Sequence, residues 1–284
     1  RMTHIIACID GSPSTPSVCD HAAWASQQLG APLILLHVLD RTLYPQNSDP
    51  SADMGLDSRE QLMEELARLD EERARLAREQ GQLTLEAARQ RIIEAGYQEP
   101  QLMHRHGSLV ETLQELESDM RLLVMGKRGD GSLRPSQVIG SHLENAIRSM
   151  RRPVLVTPSV FRIPRSVLLA YDGSSTAEKG IDMLCQSPLL RGLPIHVVMI
   201  GADTGNNRQQ LASAATRLGD AGYQTEVVVL AGEVEDALLG YQQEHQFDLL
   251  AMGAYGHSRI REFFIGSTTT TMLRRCQTAL LMLR

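Results

Sequence analysis

LAMGAYGHSRIREFFIGSTTTT, residues 250–271, joins a buried apolar run to a helix through three glycines. Leu249, Leu250, Ala251 and Met252 have the apolar continuity of a strand covered on both faces. Gly253 and Gly256 follow, then nine residues, then Gly266 and Ser267 at the start of an apolar-periodic helix. Glycines at a strand end let the backbone turn tightly and approach a ligand without a Cβ in the way. The first amides of the next helix lack internal partners and point outward, which makes them receptive to a phosphate oxygen. Hydroxyls are concentrated there, on Ser267, Thr268, Thr269, Thr270 and Thr271.

The same arrangement occurs earlier in the chain. Leu122, Leu123, Val124 and Met125 lead to Gly126 and Gly129, and Gly140-Ser141 opens another helical pattern through Met150, here after ten intervening residues. The two halves also begin alike: Ile5 to Ile9 runs into Asp10-Gly11-Ser12, and Val167 to Tyr171 runs into Asp172-Gly173-Ser174. The 284 residues are therefore an internal duplication of two domains, each large enough to bury its own core. We place them at 1–158 and 165–284, divided by a linker that holds Pro158 and Pro164.

Apolar runs at 4–9, 33–39, 122–125 and 153–157, together with the segment 101–106, predict five strands in the first half. Runs at 166–171, 194–200, 225–230, 248–252 and 278–283 predict five in the second. Helical patterns alternate with them, as in a parallel sheet covered on both faces. From Asp10 to Gly126 is 116 residues, but from Asp172 to Gly253 only 81. The surplus falls in a polar loop over 40–58 and a helical pattern over 59–95. That pattern carries Leu62, Leu66, Leu69, Leu76 and Leu83 at broadly heptad-compatible spacing. It is expected to lie along the sheet with a solvated outer face; an arm that pairs with another subunit is the alternative.

Bulk properties bound the rest. A net charge of −6 gives no support for nucleic-acid binding. No apolar run is long enough to span a membrane, and no leader pattern precedes the first strand, so the sequence-level expectation is a cytoplasmic protein. Cys8, Cys19, Cys185 and Cys276 are widely spaced and read as structural thiols. His104 and His106 alternate on a strand but have no third ligand nearby in sequence, so no metal site is expected. His37 and His196 read as satisfied sheet histidines.

On these motifs the chain resembles a tandem universal stress protein, both halves included: strand-Asp-Gly-Ser at each start, His37-Val38 and His196-Val197 in the second strands, and Met-Gly-x-x-Gly followed by Gly-Ser. The resemblance implies two Rossmann-like α/β domains of the adenine nucleotide alpha hydrolase type, each a five-stranded parallel sheet with helices on both faces. It implies ATP, with AMP or ADP as variants and Mg2+ as a companion, bound across the carboxyl ends of the strands. The implied contacts in the second domain are Asp172, Val197, Gly253, Gly256, Gly266, Ser267 and Thr268, which fit the family's G-x2-G-x9-G-S spacing. Their counterparts in the first domain are Asp10, Val38, Gly126, Gly129, Gly140 and Ser141, where the glycine spacing departs from the family's by one residue and Asp130 and His142 add further differences.

The implied function is a stress-response, nucleotide-binding regulatory protein that acts through an unidentified protein partner. The family's domains pair through their last strands, so the two halves are expected to form an intramolecular pseudo-dimer, with a homodimer as a further association. No Walker-type Gly-Lys-Ser/Thr and no general base paired with the glycines is present, so no catalytic residue is assigned. A slow ATPase or phosphotransferase, or a structural stress protein without nucleotide, are the alternatives.

Overall fold

The computed structural model describes residues 3–39, 56–127, 141–254 and 267–284. The first half supplies strands β1 (His4–Cys8), β2 (Leu33–Leu39), β3 (Gln101–His106), β4 (Met120–Gly126) and β5 (Val154–Thr157), with helices α1 (Thr15–Leu29), α2 (Leu56–Glu94), α3 (Leu109–Leu116) and α4 (Ser141–Ser149). The second half supplies β6 (Val167–Ala170), β7 (Ile195–Ile200), β8 (Thr225–Leu230), β9 (Leu249–Gly253) and β10 (Ala279–Leu283), with α5 (Ser175–Gln186), α6 (Gly205–Asp220), α7 (Val234–His245) and α8 (Ser267–Arg275). All ten strands lie in one sheet of order β3-β2-β1-β4-β5-β10-β9-β6-β7-β8. Within each half neighbouring strands are parallel.

The halves meet where β5 and β10 pair antiparallel, with Leu281 opposite Leu155, Leu280 opposite Val156 and Met282 opposite Val154. Register makes Leu155 the counterpart of Leu281, because Val124 faces Leu155 in one half and Ala251 faces Leu281 in the other. The pairing is thus centred on equivalent residues, and a local two-fold relates the halves. Leu155 and Leu281 are buried to within 1% of full enclosure, and each such side chain contributes about 1.5–3 kcal/mol. Arg284 reinforces the junction. Its guanidinium donates to the carbonyls of Met150 (2.7 Å) and Arg148 (2.8 Å) at the end of α4 and of Ala254 (2.9 Å) after β9. A cation on the carbonyl end of a helix is favoured by the unpaired C=O groups there.

The core has two layers, one on each face of the sheet, and both run through both halves. One gathers α1, α2, α5 and α6 over residues such as Ile5, Leu35, Leu155, Val167 and Leu281. The other gathers α3, α4, α7 and α8 over Ile6, Leu123, Val156, Leu250 and Met282. Successive strand residues alternate between the layers because the side-chain period of a strand is two. The four cysteines are free, and burial pushes the Cys8 and Cys19 thiols up to about 12. Between β5 and β6 the connection lays Phe161 edge-on against His21 of α1, with ring centres 4.7 Å apart.

An ion pair recurs in both halves. Arg91 of α2 grips Asp20 of α1 through two hydrogen bonds of 2.8 and 2.7 Å. Arg217 of α6 grips Asp182 of α5 in the corresponding place, and also Glu178, which bonds the Tyr171 hydroxyl. Each pair ties the helix after the first strand to the helix after the second. Leu85, Ala88 and Ile92 of α2 match Leu211, Ala214 and Leu218 of α6 in spacing and burial. The match makes the last part of α2 the counterpart of α6 and leaves residues 56–78 as an addition. That addition departs from the expectation of a helix lying along the sheet. Of its described side chains only Leu66 and Ala77 are even partly covered.

The single tryptophan, Trp24, is buried in α1 and reports on the first half. Leu281→Ala, made in the second half, is expected to cost about 2–5 kcal/mol and to lower the urea midpoint of the Trp24 fluorescence transition. An unchanged Trp24 transition would mean that the halves unfold independently.

Candidate functional site

In the second half the chain leaves β6 on one side for β7 and β8 and returns on the other side as β9. The carboxyl ends of β6 and β9 therefore flank a topological switch point, where open α/β sheets bind ligands. Asp172 lies two residues beyond β6 and is exposed; its Oδ1 accepts the Ser174 amide at 2.9 Å. Between them Gly173 has φ +69, in the left-handed region that only glycine adopts without strain. Ser174 then caps α5 by accepting the Ala177 amide at 3.2 Å. Gly253, the last residue of β9, lies against the first turn of α5: a Cβ there would sit 3.0 Å from Cγ2 of Thr176 and 3.8 Å from the Ala177 amide nitrogen. Asp172 and Gly253 thus stand at the carboxyl ends of neighbouring strands.

Ser267 opens α8, and Thr268 in its first turn is half-buried. α5 and α8 pack on opposite faces of the sheet. In right-handed strand-helix units both helices begin at the carboxyl edge, so two helix N-termini with their positive dipole ends border this edge. That arrangement suits an anion. Gly256 and Gly266 lie outside the described residues.

Val197 is placed differently from the expectation. Val167 pairs with Ile195 as Ile5 pairs with Leu33, so the register counterpart of Val38 is Ile200, and that of His37 is Met199. Val197 is fully buried, three residues before the end of β7, whereas Ile200 is the half-buried last residue of the strand. The two His-Val dipeptides look alike in sequence but stand three positions apart in the sheet. His196 instead faces the α7 layer, with Nδ1 2.9 Å from the Tyr241 hydroxyl and Nε2 2.9 Å from Glu226 Oε2.

The first half repeats the turn. Asp10 is exposed; its Oδ1 accepts the Ser12 amide at 3.0 Å and the Thr15 hydroxyl at 3.2 Å, and Gly11 has φ +75. Val38 lies near the end of β2 and Gly126 closes β4, while Ser141 starts α4. Gly129, Gly140 and Asp130 lie outside the described residues. Where Gln210 of α6 overhangs Gly173, so that a Cβ there would lie 2.7 Å from its Oε1, the shorter Thr84 of α2 stands 3.4 Å from the same point on Gly11.

Sequence reasoning missed the cluster beside Asp10. His37 and His104 face each other across β2 and β3 with ring centres 5.0 Å apart, and His106 lies 5.1 Å from His104. The signal was present in the strand alternation, which puts residues 37, 104 and 106 on the α2 face, but it required the pairing register. A Cβ on Gly81 of α2 would lie 2.8 Å from His37 Cε1 and 3.0 Å from His104 Cε1. Nδ1 of His37 and Nε2 of His104 have no hydrogen-bond partner among the described residues. Burial lowers the pKa of His37, and the neighbouring His104 lowers it further while Asp10 opposes; burial and then His106 lower that of His104. Both rings are therefore neutral at neutral pH. Among the described residues no group of three or more His, Cys, Asp or Glu is placed to hold a metal ion, and no helix is long and apolar enough to cross a membrane.

Comparison with known proteins places this architecture. The profile of the Universal stress protein family matches residues 2–158 and 201–284. A universal stress protein of Synechocystis sp. is 36% identical over 288 residues, covering 100% of both chains. A solved universal stress protein from Archaeoglobus fulgidus DSM 4304 superposes with TM-score 0.67 at 19% identity, covering 99% of this chain and 98% of its own. A solved protein of unknown function from Pseudomonas aeruginosa PAO1 gives TM-score 0.58 at 14% identity over 99% of this chain and 92% of its own. The chain belongs to the universal stress protein family and carries two of its domains in tandem.

Gly81→Ala gains about 1 kcal/mol in helix propensity, yet the clash with the histidine pair is expected to make it destabilising by about 1–3 kcal/mol. In a His37→Ala background the same change should turn stabilising; a stabilising effect in the parent chain would contradict the packing described. His37 and His104 titrate near 6.5 when unfolded and lower when folded. Their contribution is complete above about pH 6.5 and is lost as pH falls toward the folded values, because the unfolded chain then binds more protons. Thermal midpoints should therefore drop between about pH 7.5 and 5.5, with a shallower slope in His37→Leu/His104→Leu. An equal slope in that variant would remove these rings as the cause.

Proposed function

We propose that the protein is a stress-response regulatory protein that binds an adenine nucleotide, ATP in the first instance, at the carboxyl edge of its second half. The observation that carries this reading is the approach of Gly253 to the first turn of α5, across the switch point from exposed Asp172. A side chain at 253 would press on Thr176 in the first turn of α5. The same half holds the G-x2-G-x9-G-S spacing without an insertion, ending at the hydroxyl-rich start of α8. In this reading the amides and hydroxyls of 266–268 receive phosphate oxygens, Asp172 accepts ribose hydroxyls or holds Mg2+, and the end of β7 offers its backbone to the adenine. We give that last role to Ile200 in place of Val197, because Ile200 is the register counterpart of Val38.

A carboxylate and phosphates repel each other unless a cation or ribose hydroxyls lie between them, so affinity should depend on Mg2+. Occupancy would order the edge formed by Asp172, Gly253 and the start of α8, and a protein partner would read that ordered surface. The first half has the same turn at Asp10-Gly11-Ser12 but an altered glycine spacing, so one nucleotide per chain is the expected stoichiometry.

Calorimetric titration of ATP with Mg2+ tests this. One site per chain is expected, lost in Gly266→Glu and weakened about tenfold or more in Asp172→Ala. Binding that persists unchanged in both variants would move the site elsewhere. Absence of binding in the parent chain by calorimetry and by equilibrium dialysis would overturn the nucleotide reading.

A further inference from the structure

The added part of α2 is a leucine-seamed arm. Leu62, Leu69, Leu76 and Leu83 recur every seven residues, the interval that keeps a seam facing a partner along a supercoil. The last three are 39%, 52% and 71% exposed, and burial against the sheet begins only at Gly81. Leu66 extends the stripe, one turn after Leu62. Residues 56–78 rise over about 35 Å, and among the described residues no element of the second half is built this way. Pairs such as Arg73–Asp70 (3.6 Å), Arg68–Glu65 (3.8 Å) and Arg75–Glu79 (3.3 Å) support the helix locally. They do not cover its leucines. A solvated helix with a continuous apolar seam is completed by a second helix.

The charges on either side of the seam select the occupant. On one flank stand Leu66, Arg73 and Gln80; on the other stand Glu65, Glu72 and Glu79. When two copies of one helix pair in parallel about a two-fold along the seam, unlike flanks meet. Arg73 then faces Glu72 of the second copy, twice by symmetry, and Leu69 meets Leu69 and Leu76 meets Leu76. In an antiparallel pair like flanks meet, and the three glutamates confront their own copies, which is unfavourable.

We propose that residues 59–83 form a parallel, in-register coiled coil with a second copy of this chain. The arm leaves the domain at the carboxyl edge of the first sheet, where Thr84 stands over Gly11 and Gly81 over His37. Pairing therefore sets two first-half edges side by side at the base of the coil. The inner sheet junction is already filled within each chain by β5 against β10, so the association uses a helical extension that the second half does not repeat among the described residues.

Sedimentation equilibrium on the full chain tests the proposal, with a mass of two chains expected. Leu69→Glu/Leu76→Glu changes only exposed side chains; it should raise the dimer dissociation constant about tenfold or more while leaving the Trp24 unfolding transition in place. Arg73→Glu should weaken the dimer, and Arg73→Glu/Glu72→Arg should restore it. Single Leu69→Cys and Leu76→Cys chains should each crosslink to themselves on oxidation, with the parent chain and its four cysteines as control. A monomer at all concentrations overturns the proposal. So does a dimer indifferent to the double glutamate variant, which would assign the contact to another surface. Cysteine variants that fail to self-crosslink within a dimer sensitive to those glutamates would overturn the parallel register.

Discussion

Three backbone pairs between β5 and β10, centred on Leu155 and Leu281, turn two half-sheets into one. A five-stranded parallel sheet ends in an edge whose N–H and C=O groups need partners. Duplication supplies that partner within the chain, and the antiparallel direction follows from joining two like edges about a two-fold. Everything else is arranged by that choice. The carboxyl ends of the two half-sheets point in opposite directions, so the two candidate edges are on opposite sides of the molecule. Each face of the ten-stranded sheet is covered by helices from both halves. Arg284 sits where the second half returns to the first and satisfies carbonyls of both.

Duplication also lets the two halves be compared position by position, as two solutions to one local problem. The turn after the first strand is nearly identical in both: a carboxylate accepts the amide two residues on, across a glycine in the left-handed region. The helix after the second strand is where they diverge. In the second half Gln210 overhangs the turn. In the first, small residues at 81 and 84 let α2 settle onto the His37 and His104 rings and continue outward as an arm. The second half thus carries the G-x2-G-x9-G-S spacing at its switch point, and the first packs histidines beside the corresponding edge.

Much of this was legible in the sequence. Near-continuous apolar runs located the inner strands, since parallel strands buried on both faces leave no polar alternation to confuse the reading, while the edge strands β3 and β8 are partly exposed and were placed by their position in the alternation. The repeated Asp-Gly-Ser and Met-Gly-x-x-Gly segments revealed the duplication. Three features were not legible, for separate physical reasons. The register of β7 is set by Ile195 opposite Val167, and a dipeptide match cannot see a three-residue offset between strands. The three-histidine cluster depends on cross-strand pairing between segments about 60 residues apart. The reach of α2 beyond the sheet depends on where burial stops, and heptad spacing looks the same whether a helix lies on a sheet or leaves it.

Hydrogen exchange measured with and without saturating Mg2+ and ATP tests the central claim most directly, because it reports where the nucleotide orders the backbone. The account predicts added protection at the 172–177 turn, at the end of β9 and at the start of α8, with the 10–15 turn of the first half unchanged. Protection confined to the first half, or none at the β6 and β9 carboxyl ends, would contradict it.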